Sequence, residues 1–248
     1  MKKKVAALWL SGLVLLFSSF IIPKKKIKVY LAGDSTISIK ETKYYPETGW
    51  GMPFAWFFDS TVTVDNRAKN GRSTGTFITE GLWEKIEKEL QEGDYVLIQF
   101  GHNDEVVTKK SFTTPEQYKA NLSRFIRETR AKKAIPVLLT PVSRRRFDST
   151  GIVPETHDYT PYVLEVAAKE KVPLIDLDTK SRELYRQMGE ETSKLLFLQL
   201  KAGEHPNYPG GKDDNTHFSE LGARLVAQIV LKEIKELHLE LADRVVKR

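Results

Sequence analysis

From Ile27 onward the chain alternates short runs of β-branched and aliphatic residues with longer stretches of helix-like periodicity. The short runs are Lys28–Ala32 (KVYLA), Thr61–Asp65 (TVTVD), Tyr95–Phe100 (YVLIQF), Pro136–Thr140 (PVLLT) and Pro173–Asp176 (PLID). Several are continuously apolar, which suits parallel strands covered on both faces, because a half-exposed strand would alternate. The helical stretches lie near 77–91, 116–133, 160–170, 179–199 and 219–237. This order predicts an α/β protein: a three-layer α/β/α sandwich around a doubly wound parallel sheet of about five strands. No internal repeat, Gly/Ser linker or low-complexity tract divides residues 23–248, so they read as one domain.

The first residues break this pattern. Lys2, Lys3 and Lys4 precede an apolar run from Val5 to Ile22, which Pro23 and three further lysines close. A basic start followed by an apolar stretch reads as an export signal over 1–22, and the run is also just long enough for an uncleaved anchor. Export to a periplasm, cell surface or medium is the expectation. The 248 residues carry a formal charge of +6, which falls to +3 once the three lysines of 1–22 are gone. Without a long basic run interleaved with aromatics, nucleic acid is not an expected partner. There are no cysteines and only five histidines, which excludes a disulfide framework, Cys-ligated zinc and a cysteine nucleophile.

Ligands of open α/β sheets sit beyond the carboxyl ends of the strands. There the chain places Gly33-Asp34-Ser35, then Asn70-Gly71-Arg72-Ser73, then Gly101-His102-Asn103-Asp104, then Ser143 with Arg144, Arg145 and Arg146. A polar loop over 202–216 leads through Asp214-Asn215-Thr216-His217 into the last helix. These residues can assemble a nucleophilic esterase. Ser35, at a strand-to-helix switch, supplies the hydroxyl. His217 supplies the base, and Asp214, three residues earlier, can fold back to fix its tautomer. The backbone N–H groups of Ser35 and Gly71 and the side-chain amide of Asn103 can supply oxyanion donors. Each piece also has a plain alternative. Asp34-Ser35-Thr36 can cap a helix, Asn70-Gly71 can be a turn, His102 can brace its loop, and Asp214 with His217 can be a cap or half a metal site lacking a third ligand. Their joint position at one sheet edge, in this order, favours the chemistry.

In that order GDS, the second-block Gly71, G-x-N-D and D-x-x-H resemble the four blocks of the SGNH (GDSL-type) hydrolases, and the resemblance covers the chain from Ile27 onward. GDST, N-G-R-S, G-H-N-D and D-N-T-H-F resemble one branch, the bacterial rhamnogalacturonan acetylesterases. The resemblance implies a flavodoxin-like sheet, no cofactor and removal of acetyl groups from the pectic backbone. It also implies Ser35, His217 and Asp214 as the triad, with Ser35, Gly71 and Asn103 as the oxyanion hole. The absent cysteines set the chain apart from disulfide-bonded fungal relatives. An esterase for acetyl-xylan or short acyl esters, and a non-catalytic carbohydrate-binding protein of the same fold, are the alternatives.

Gly71-Arg72-Ser73-Thr74-Gly75 also matches G-x-S-x-G, which makes Ser73 a rival nucleophile, although that elbow needs a strand directly before the serine. For an acidic polymer, Arg72, Arg144, Arg145 and Arg146 are candidate carboxylate contacts, each with a solvated-loop alternative. His102 and His205 are further candidate contacts. Tyr44, Tyr45 and Trp50 can stack on sugars, or Trp50 can belong to the core.

Overall fold

The computed structural model describes residues 25–246, so the export segment expected over 1–22 lies outside the described residues. Five parallel strands form the central sheet: β1 (Ile27–Gly33), β2 (Val62–Asn66), β3 (Tyr95–Gln99), β4 (Ile135–Leu139) and β5 (Leu174–Ile175). Their spatial order is β2-β1-β3-β4-β5, the flavodoxin-like winding. In register, Leu31 of β1 lies beside Leu97 of β3, which lies beside Val137 of β4.

In β1, β3 and β4 the residues alternate between two buried faces, which is why these strands read as nearly unbroken apolar runs. Val29, Leu31, Leu97, Val137 and Leu139 face one core, with α6 (Leu177–Thr192) and α7 (Glu220–Glu236). Tyr30, Ala32, Val96, Ile98 and Leu138 face the other, against α4 (Pro115–Ala131) and α5 (Thr160–Glu170). Smaller helices complete the layers: α1 (Gly51–Phe54), α2 (Thr74–Thr79) and α3 (Leu82–Glu89).

Two expected helices differ. The stretch near 77–91 is two helices, because Gly81 between them takes the left-handed conformation (φ 67°). The stretch near 179–199 leaves the helix at Thr192, after Gly189 has already departed from helical angles (φ 76°). Its apolar end becomes β6 (Phe197–Leu200), which pairs antiparallel with β7 (Lys212–Phe218). The end of the expected polar loop, from Lys212, is therefore one arm of a β-ribbon. Where α7 begins, a Cβ on Gly222 would fall 1.9 Å from the carbonyl oxygen of Leu196, so only glycine lets the helix seat against the turn before β6.

Candidate functional site

β1 ends at Gly33, and the chain turns at once. No α-helix follows until Gly51, and the short 3₁₀ turn at Thr42–Tyr44 starts after Glu41, so Asp34 and Ser35 cap neither and the expected strand-to-helix switch is a strand-to-turn switch. Asp34 is fully buried, and its Oδ1 accepts from the N–H and hydroxyl of Thr36, which closes the turn. That turn presents Ser35, 8% exposed, at the carboxyl edge of the sheet.

The partner for Ser35 arrives from the ribbon. Phe197 pairs with Phe218, but the next residue, Leu198, pairs with Asp214, so Asn215, Thr216 and His217 bulge out of the ladder. Such a bulge re-aims side chains. Here Asp214 Oδ1 accepts from the backbone N–H groups of Thr216 (2.8 Å) and His217 (2.9 Å), while Oδ2 lies 2.9 Å from His217 Nδ1. A carboxylate can only accept, so Nδ1 carries the ring proton and Nε2 is left as an acceptor. Ser35 Oγ stands 3.0 Å from that Nε2 and donates to it. Partial burial disfavours the charged form of Asp214, but the hydrogen bond and charge of His217, with the two backbone donors, outweigh it. The carboxyl is held well below its ordinary range.

Two other loops close on the same edge. Gly71 takes a positive φ (76°), and a Cβ there would meet nothing, so the backbone angle rather than space calls for glycine. Asn103 donates from Nδ2 to the carbonyl of Arg72 at 3.1 Å, which ties the loop after β3 to the loop after β2. Asp104 reinforces the tie by accepting from the N–H and hydroxyl of Thr74; burial pushes its carboxyl up to about 7 against those bonds. The edge thus gathers a hydroxyl hydrogen-bonded to an imidazole with a fixed tautomer, next to backbone and amide donors. That is the equipment for nucleophilic attack on an ester carbonyl.

Ser73, the rival serine, is the N-cap of α2. Its Oγ accepts from the N–H of Thr76, whose own hydroxyl accepts from the Ser73 N–H in a capping box. β2 ends at Asn66, so no strand feeds this serine directly. Trp50 belongs to the core, with its indole N–H donated to Gln99 at 2.9 Å, whereas Tyr45 is exposed.

The three arginines separate. Arg145 is buried, which removes it from the candidate substrate contacts: its backbone N–H and its Nη1 hold the carbonyl and side chain of Asn215, Nε holds Ser193, and Nη2 holds the carbonyl of Glu190. It braces the bulge that carries Asp214 and His217. Arg145→Ala should therefore lower unfolding free energy in urea by roughly 3 kcal/mol, because several buried acceptors lose a charged donor, and turnover should fall with it. Arg144 is half-buried and pairs with Glu105 at 2.9 Å, beside His157 on the same carboxylate oxygen. Arg146 is exposed. Arg72 pairs with Glu80 and donates to the carbonyl of Asn70.

His102 is turned inward, 5% exposed, with its ring edge-to-face on His157 at 4.3 Å. Burial above all, with the neighbouring His157, Arg144 and His217 acting in the same direction, pushes it far down, so it is a neutral imidazole in the wall of the site. The expected substrate contact at His102 is not offered to solvent. His205 is half-buried and accepts from the N–H of Asn207 through Nδ1. The same Asn207 donates to the carbonyls of Thr42 and Tyr45, which joins this loop to the segment after β1. Among the described residues no cluster of His, Asp and Glu is arranged to hold a metal ion.

Sequence reasoning passed over Lys40 and Glu47. Lys40 is buried and donates to the carbonyl of Ser35, to Ser38 Oγ at 3.1 Å and to Asn70 Oδ1 at 3.0 Å; Glu47 receives it at 2.6 Å. A lysine in a polar loop looks like surface, and only the folded turn shows otherwise.

The geometry agrees with what the chain resembles. The model of the GDSL-like Lipase/Acylhydrolase family matches residues 31–225. The chain is 46% identical over 227 residues to the rhamnogalacturonan acetylesterase RhgT of Bacillus subtilis (strain 168), covering 91% of this chain and 97% of that protein. Among solved structures, the YxiM protein of Bacillus subtilis superposes with a TM-score of 0.75 at 28% identity, over 88% of this chain and 58% of that one. A catalytic mutant of Axe2, an acetylxylan esterase from Geobacillus stearothermophilus, shares the fold at a TM-score of 0.58 and 17% identity, over 90% and 98% of the two chains.

Proposed function

The chain belongs to the GDSL-like Lipase/Acylhydrolase family, and we propose that it removes acetyl groups from acetylated rhamnogalacturonan through an acetyl-enzyme on Ser35. The observation that carries the chemistry is the unbroken hydrogen-bond chain from Ser35 Oγ through both ring nitrogens of His217 to Asp214. The likeness to RhgT, a rhamnogalacturonan acetylesterase, at 46% identity along nearly the whole chain supports the substrate class.

In the proposed reaction Ser35 Oγ bonds to the acetyl carbonyl carbon as its proton passes to His217 Nε2. The carbonyl electron pair moves onto oxygen, where the N–H groups of Ser35 and Gly71 and the amide of Asn103 receive it. As the tetrahedral adduct collapses, the sugar alkoxide leaves and takes the proton from Nε2. A water then repeats the sequence and releases acetate. The residues need no cofactor for any step. Of the arginine cluster, exposed Arg146 is the member best placed by its exposure to meet a galacturonate carboxylate. The segment 1–22 exports the protein, in keeping with a polymeric substrate outside the cell.

Acetate release from acetylated rhamnogalacturonan, measured beside acetyl-xylan, tests this reading. Release from the pectic polymer in preference to xylan is expected. Preferential release from xylan would move the substrate while leaving the reaction in place, and release from neither would leave the proposed activity without support.

A further inference from the structure

The nucleophile stands on a buried ion pair that the proposed reaction has not used. Lys40 and Glu47 expose 0% and 8% of their side chains, and their charged atoms are 2.6 Å apart. The lysine ammonium grips the carbonyl of Ser35, and it also reaches Ser38 and Asn70, which are hydrogen-bonded to each other at 2.5 Å. The glutamate oxygen that receives Lys40 is also 3.9 Å from His217 Nε2, the ring nitrogen opposite the one Asp214 holds. Thr48, the next residue, is pinned to β7 by its N–H to the carbonyl of Phe218 at 2.9 Å, so the segment bearing Glu47 and the strand bearing His217 are locked together.

A buried pair is costly to desolvate, and apolar residues of similar size often serve stability as well or better. Its place between nucleophile and base therefore asks for a further role. We propose that Glu47, held by Lys40, is a positioning residue for His217: its carboxylate stabilises the positive charge that forms on the ring when the Ser35 proton arrives, while Lys40 fixes the backbone of the nucleophile. This rests on the reading of His217 as the base. The groups facing His217 are Asp214 from its own strand, with Lys212 3.7 Å from Asp214, then Glu47 and Lys40 from the segment after β1, and neutral His102 from the loop after β3. Asp214 and Glu47 thus flank the imidazole with two carboxylates. Burial pushes Lys40 down from its ordinary range, and Glu47 opposes that shift.

The test is the pH profile of kcat/KM for Glu47→Gln on 4-nitrophenyl acetate, with Ser35→Ala alongside. Removing the carboxylate should lower kcat by about 10- to 100-fold with little change in KM, and move the acid limb to lower pH by roughly half a unit to one unit. The limb falls because the protonated ring has lost a stabilising neighbour, and the rate falls for the same reason in the transition state. Wild-type kcat, or an equal loss at every pH with the limb unmoved, would overturn the proposal. The double variant Lys40→Met/Glu47→Met guards against loss of fold: it should melt as a folded protein yet stay slow, and a wild-type rate in it would also overturn the role. If Ser35→Ala itself retains turnover, the nucleophile reading has failed; if it is inactive while the Glu47 variants are unaffected, only this inference has.

Discussion

Ser35→Ala should remove acetate release almost entirely, lowering kcat by roughly 10⁴- to 10⁶-fold while leaving polysaccharide binding in place. The size follows from the site. Ser35 Oγ is the hydroxyl 3.0 Å from His217 Nε2, and taking it away leaves the imidazole with no nucleophile to activate. Water can still reach the cleft, so a residual rate from the oxyanion donors and from binding should survive. The substitution removes one small polar atom at a turn whose geometry is held by Asp34 and Thr36, so the melting temperature should barely change. Ser73→Ala should behave in the opposite way: it costs about 1 kcal/mol as a lost helix cap and keeps turnover. Steady-state kinetics and thermal melts of the two variants distinguish a nucleophile from a cap.

Asp214→Asn should cost about 10⁴-fold in kcat with KM little changed. The reason lies in the two oxygens of the carboxylate. Oδ1 is committed to the backbone N–H groups of Thr216 and His217. An asparagine would keep its single carbonyl oxygen there and turn its amide N–H toward His217 Nδ1. That nitrogen would then have to accept, the ring proton would move to Nε2, and Nε2 could no longer take the proton of Ser35. The fold of the bulge should survive, because Arg145 and Gln199 still hold Asn215 and the carbonyl of residue 214. A loss confined to KM would show instead that Asp214 serves substrate binding.

The sheet was readable from the chain because its inner strands β1, β3 and β4 are buried on both faces. Runs such as YVLIQF leave no alternative once turn residues bound them. The β-ribbon was not readable. Lys212–Phe218 shows no alternation of apolar positions, and its extended form comes from pairing with Phe197–Leu200, which itself continues an apolar helix-like stretch. Likewise a run of three arginines looks uniform in sequence. Backbone geometry sends Arg145 inward to the bulge, Arg144 to Glu105 and Arg146 to solvent. The chain order of Ser35, Gly71, Asn103, Asp214 and His217 was visible because each follows a strand or precedes a helix at the same edge. The hydrogen bonds that link them emerge only when the loops at the strand ends meet β7, and the Lys40–Glu47 pair beneath only when the segment after β1 folds back on itself.

The central claim is that Ser35 carries the acyl group. Wild-type enzyme mixed with an activated acetyl ester and quenched in acid within a turnover should yield one acetylated peptide, the one containing Ser35, and the label should vanish once substrate is exhausted. Acetyl on the peptide containing Ser73, or rapid turnover with no acetylated serine at any time, would contradict the account.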